Sequence, residues 1–137
     1  MKLPRTAEDI VREVQIASNK SGDLYLRQLI FLLQHVSHEL IVEAIIRLFE
    51  QNHSGENAFR IQEFSGRILE EIKPISEKTI HDILKRTLGN WNKSIEQLPF
   101  WLISNYGVQA TNAALNDDCF SSEEDKVKAM RWWLQKA

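Results

Sequence analysis

Apolar residues recur at three- and four-residue spacing along almost the whole of this 137-residue chain, and no segment alternates strictly between apolar and polar positions. Such spacing puts one apolar stripe on each of a series of helices and gives no strand a face to bury, so an all-helical fold is expected. The first stripe, Ile10, Val14 and Ala17, follows Thr6 and Asp9, which have the side chains to cap a start; together they predict a helix over Ala7–Ser18, ended by Asn19-Lys20-Ser21-Gly22. Residues 24–36 are the most apolar stretch, and their polar members Arg27, Gln28, Gln34 and His35 share one narrow face. A helix enclosed on most sides has that pattern, so this one is expected at the centre.

Ser37 can cap a third helix, whose broad apolar face (Leu40, Ile41, Ala44, Ile45, Leu48, Phe49) lies opposite Glu39, Glu43, Arg47 and Glu50. A loop at 53–56 leads to a fourth helix over 57–72, carrying Ile61, Phe64, Ile68 and Ile72 and stopped by Lys73-Pro74. Ser76 is expected to open a fifth helix reaching Trp91, with Ile80, Ile83, Leu84, Leu88 and Trp91 inward. Ile95, Leu98, Trp101, Leu102 and Tyr106 mark a sixth, with Pro99 in its first turn and Gly107 at its end. A short helix over 108–115 and a polar loop at 116–118 precede the last helix, where Ser121 with Glu124 reads as a capping box and Val127, Met130 and Leu134 form the stripe.

The chain is long enough for one domain with its own core, so residues 1–137 are expected to form a single unit. The formal charge of -2 is spread evenly, which argues against non-specific attraction to nucleic acid or anionic lipid. Cys119 is the one cysteine, so an internal disulfide and any cysteine-pair zinc site are excluded. The charged residues after Met1 do not read as a secretory signal, and no apolar run approaches the roughly 20 residues of a membrane span. A cytoplasmic protein is expected, in which the Asn-x-Ser triplets at Asn19, Asn52 and Asn92 are chance matches.

Short connections make neighbouring helices antiparallel, and corresponding helices recur at roughly 33 to 40 residues, Leu24 to Asn57 to Ser94 and His38 to Ser76. With this spacing and stripes such as Ile80/Ile83/Leu84/Leu88, the chain from Leu24 to Leu134 resembles the armadillo and HEAT-like helical repeats. The resemblance implies antiparallel helix pairs stacked as a short right-handed α–α superhelix; the alternative is a compact non-repeating bundle.

No convergent catalytic set, cofactor motif or metal-ligand spacing stands out. His35, His38 and Glu39 are close in sequence, but a helix boundary at Ser37 separates the histidines and the second histidine of a zinc helix is missing. Glu63, Glu70 and Glu71 read as a solvated face, and Cys119 as an inert thiol with no base placed beside it. Lys78, His81 and Lys85 share a face of the fifth helix, with Arg86 adjacent and Lys93 beyond, which makes Lys78, Lys85, Arg86 and Lys93 the candidate anion or nucleic-acid contacts.

All four tryptophans, Trp91, Trp101, Trp132 and Trp133, fall in the second half. Trp132 projects opposite the stripe that Trp133 flanks, so it is covered by a partner, exposed at an interface, or folded along its own helix. The favoured function is a protein–protein interaction module, or self-association, using Trp101, Trp132 and Arg131. The alternatives are a ligand binder or enzyme with a cleft among Trp91, Trp101, Tyr106 and His81, and nucleic-acid binding through the basic stripe.

Overall fold

The computed structural model describes residues 1–52 and 55–136 and contains, among them, eight α-helices, one 3-10 helix and no strand. In chain order the helices are α1 (Ala7–Ser18), α2 (Leu24–Leu33), α3 (His38–Glu50), α4 (Ala58–Ile72), α5 (Ile80–Thr87), α6 (Gln97–Tyr106), α7 (Val108–Leu115), the 3-10 helix Asp118–Glu123, and α8 (Glu124–Lys136). The expected loop at 53–56 and the triplet at Asn52 both include positions 53 and 54, which lie outside the described residues, as does 137.

Helix starts follow local side-chain chemistry. Thr6 accepts the Asp9 N–H at 3.1 Å and Ser37 accepts that of Leu40 at 3.4 Å, as their sequence positions suggest. Two expected caps are corrected. Ser76 does not open α5: Thr79 does, accepting the Asp82 N–H at 3.2 Å, while the Ser76 hydroxyl accepts from Lys78 N–H within the preceding loop. The capping box at Ser121 is not formed either, because residues 118–123 wind as a 3-10 helix running straight into α8. Asp117 caps that turn instead, accepting the Cys119 N–H at 2.8 Å. α5 also ends at Thr87 rather than Trp91, and a turn carries the chain on to Trp91.

Packing runs in two series. α1 lies against α3, α3 against α5 and α5 against α7; α2 lies against α4, α4 against α6 and α6 against α8. Contacts between α1 and α2, α3 and α4, and α6 and α7 join the series. The hub is α3, whose Ile41, Ala44, Ile45, Leu48 and Phe49 are almost fully buried between α1, α4 and α5. The expectation of a central α2 is therefore corrected: Leu26, Leu29 and Leu33 are buried, but Leu24 is 58% and Phe31 70% exposed, because α2 packs chiefly on its α1 and α4 sides.

One apolar core extends from Ala7 to Leu134. Its largest fully buried side chain, Trp91, donates its indole N–H to the Ile95 carbonyl at 3.0 Å, so burying the ring leaves no polar atom unpaired. Truncating such a ring costs about 3–5 kcal/mol. Buried Gln62 supplies a second polar tie, donating to Asn90 O at 2.6 Å and accepting from Asn92 N–H at 2.7 Å, which fixes the turn after α5 onto α4. α4 and α6 approach closely at Gly66, where a Cβ would stand 3.1 Å from that of Gln97.

Candidate functional site

The basic stripe is largely neutralised within the fold. Arg86 makes a paired contact with Glu43 (2.9 and 3.0 Å) and a second with Glu50 (3.1 and 2.9 Å), tying α5 to α3. Lys78 reaches Glu43 at 3.2 Å, Arg47 adds a contact at 2.8 Å, and Lys93 lies 3.7 Å from Asp125. Arg86 first, then Arg47 and Lys78, hold the Glu43 carboxyl at a pKa of about 2. The sequence predicted Lys78, Lys85, Arg86 and Lys93 as one phosphate-facing set; in the fold three of the four already face carboxylates, and only Lys85 has no ion pair among the described residues.

The expected cleft among Trp91, Trp101, Tyr106 and His81 is not assembled. Trp91 is sealed in the core, Trp101 is 5% exposed with its N–H on Pro74 O at 2.8 Å, and the Tyr106 hydroxyl donates to Lys78 O at 2.6 Å while accepting from Ser76. Trp91 and Trp101 border different hollows. The histidines of the 35–39 segment also separate. His38 Nδ1 accepts the Ile75 N–H at 3.0 Å, whereas the His35 ring packs edge-on to Phe31.

An aromatic ladder does reach the surface where α6 meets α8. The Phe100 ring stands edge-on to Trp133 at 5.8 Å, and Trp133 stands edge-on to Trp132 at 4.7 Å. Trp133 is anchored through its indole N–H to Lys93 O at 2.8 Å, while Trp132 remains 50% exposed with the Lys136 ammonium over its face at 4.9 Å. The Trp132 ring leans on its helix neighbour and still presents half its surface. Beneath Phe100 the ladder continues into a hollow of about 330 Å³ between α4 and α6, lined by Leu69, Lys73, Gln97, Phe100, Trp101 and Ser104 and by the carboxylates Glu70 and Glu96. Trp101, one of the residues the sequence offers for partner binding, forms its wall and is 5% exposed. Arg131 bonds the neutral Asn116 side-chain oxygen, so neither it nor Lys136 is charge-matched by a carboxylate among the described residues.

A second constellation joins residues that the sequence treats separately. His81, in the first turn of α5, places Nε2 2.7 Å from Asp117 Oδ2 and 3.7 Å from Cys119 Sγ. These partners stand 36 and 38 positions further along the chain, so no short motif announces them. Asp117 is held below its ordinary pKa by the Cys119 backbone and side-chain hydrogen bonds and then by His81. Partial desolvation, then Asp117, raise the Cys119 thiol above its ordinary value despite Lys85 nearby. The sequence reading left Cys119 without a base beside it; an imidazole is in fact its neighbour.

No helix among the described residues is long and apolar enough to cross a membrane. No protein-family model, curated protein sequence or solved structure matches the chain.

Proposed function

We propose that this chain is a protein-interaction module that grips a partner segment with the Phe100–Trp133–Trp132 face of α6 and α8. The observation that carries the reading is the half-exposed Trp132 ring, braced by Trp133 and flanked by Lys136 and Arg131. A braced aromatic loses little conformational freedom on binding, and large rings of this kind dominate interface energetics. The cations on α8 select the partner's chemistry: an uncharged apolar anchor for the Phe100 hollow, whose rim carries Glu70 and Glu96, and one or more carboxylates against Lys136 and Arg131 beside Trp132. Charge matching of Lys78, Arg86 and Lys93 inside the fold favours this reading over nucleic-acid binding.

The framework behind this face is read as a short HEAT-like stack of helix pairs. Its support is the alternation in which each helix packs against the one two places along, the arrangement a two-layered solenoid requires. The recurrence of roughly 33 to 40 residues in the sequence agrees with it.

The test is selection of random displayed peptides on the full chain, with Trp132→Ala as the counter-selecting bait. Enrichment of Leu, Phe or Trp beside Asp or Glu is expected, with binding weakened roughly thirtyfold by the substitution, about 2 kcal/mol. Failure to enrich any sequence, or equal binding to both forms, removes the proposal. Concentration-dependent dimerisation that Trp132→Ala abolishes replaces the foreign partner with a second copy.

A further inference from the structure

We propose that His81, Asp117 and Cys119 form a binding site for a divalent transition metal of the zinc class. Imidazole nitrogen, carboxylate oxygen and thiolate sulfur are the three ligand types that zinc accepts, and here the three donor atoms lie within 4.8 Å of one another. Tetrahedral zinc, with bonds of about 2.0–2.3 Å, sets its ligand atoms roughly 3.3–3.8 Å apart. The sulfur–nitrogen separation of 3.7 Å already meets that requirement. The nitrogen–oxygen separation of 2.7 Å must open by roughly half an ångström, as the ion takes the place of the His81–Asp117 hydrogen bond.

The surroundings suit such an ion. Asp117 divides its two oxygens: Oδ1 is fixed by the Cys119 N–H at 2.8 Å, which leaves Oδ2 aimed at the imidazole. A ligating carboxylate oriented by a backbone N–H is the outer-shell support that metal sites use. The largely buried Phe120 ring lies 5.8 Å from that of His81 and walls one side. The three ligands themselves are partly exposed, so an ion can enter and the fourth position is open to water. On binding, the Cys119 thiol releases its proton to solvent and the sulfur donates to the metal. The ion would clip the start of α5 to the turn that feeds α8, the helix bearing Trp132 and Trp133.

Cobalt(II) chloride, titrated into the reduced full-length chain and then displaced by zinc chloride, tests the site. One equivalent of cobalt should produce a thiolate-to-metal charge-transfer band together with the intense visible bands of tetrahedral coordination, and zinc should abolish both. Zinc should also slow alkylation of Cys119 and raise Tm by a few degrees. His81→Ala and Asp117→Asn, at half-buried and exposed positions where folding is checked by circular dichroism, should each weaken cobalt binding by roughly tenfold or more. Absence of the charge-transfer band in the wild type overturns the proposal. So does a band of unchanged affinity in both variants, since the thiol alone would then be the ligand.

Discussion

Glu43→Gln isolates the charge network that consumes the basic stripe. The substitution keeps the size of the side chain and removes only the charge on which Arg86, Arg47 and Lys78 converge. The carboxyl is held at about 2 against an ordinary 4.5, and each pKa unit corresponds to about 1.4 kcal/mol, which sets an upper bound of about 3.5 kcal/mol at neutral pH. Glu43 is 21% exposed, so solvent screening reduces the expected loss to about 1.5–2 kcal/mol, or roughly 6 °C in Tm. Because the folded-state value is depressed, the stabilisation is complete above pH 4.5 and fades as pH falls towards about 2. Below that the wild-type side chain is neutral like glutamine. Urea unfolding of both proteins at a series of pH values should therefore give two stability curves separated at pH 7 that converge near pH 2. A gap that stays constant across this range, or no gap at pH 7, refutes the assignment of Glu43 as the charged hub.

Three further substitutions probe the backbone and the surface. Gly107 joins α6 to α7 at φ 89° and ψ 160°, a conformation open in practice only to glycine, so Gly107→Ala should cost about 1–3 kcal/mol in thermal or urea unfolding. Lys73 ends α4 in the left-handed region at φ 51°, and Lys73→Gly should stabilise by about 0.5 kcal/mol, the relief of strain exceeding the added flexibility of the unfolded chain. Trp132→Ala removes a half-exposed ring and should leave stability within about 0.5 kcal/mol, which makes it a clean binding variant.

Much of the helical layout was legible because periodicity reports burial directly: Ile61, Phe64 and Ile68 face inward from α4 as their spacing requires. The misplacement of α2 has a physical cause. Periodicity shows which residues are apolar, but not whether enough of the fold packs over them, and Leu24 and Phe31 stay mostly exposed. Ser76 and Ser121 misled because serine satisfies turns as readily as helix starts, and both serve irregular segments here. The aromatic ladder was half legible. The surplus tryptophans pointed to α8, yet only tertiary packing buries Trp101 and brings Phe100 to Trp133. The His81–Asp117–Cys119 group and the Arg86–Glu43 pair were invisible for the same reason, since each joins residues more than 30 positions apart.

The interaction reading meets its sharpest test in the indole N–H resonances of the full-length protein, recorded as a selected acidic, apolar-anchored peptide is titrated in. Four tryptophans in three environments act as internal reporters: Trp91 and Trp101 buried on backbone carbonyls, Trp133 on Lys93 O, and Trp132 at the surface. The expected result is saturable shifts at Trp132 and Trp133 with Trp91 unmoved. Shifts confined to the α2 face around Leu24 and Phe31, with both α8 indoles unchanged, would contradict it and move the binding surface to the opposite end of the chain.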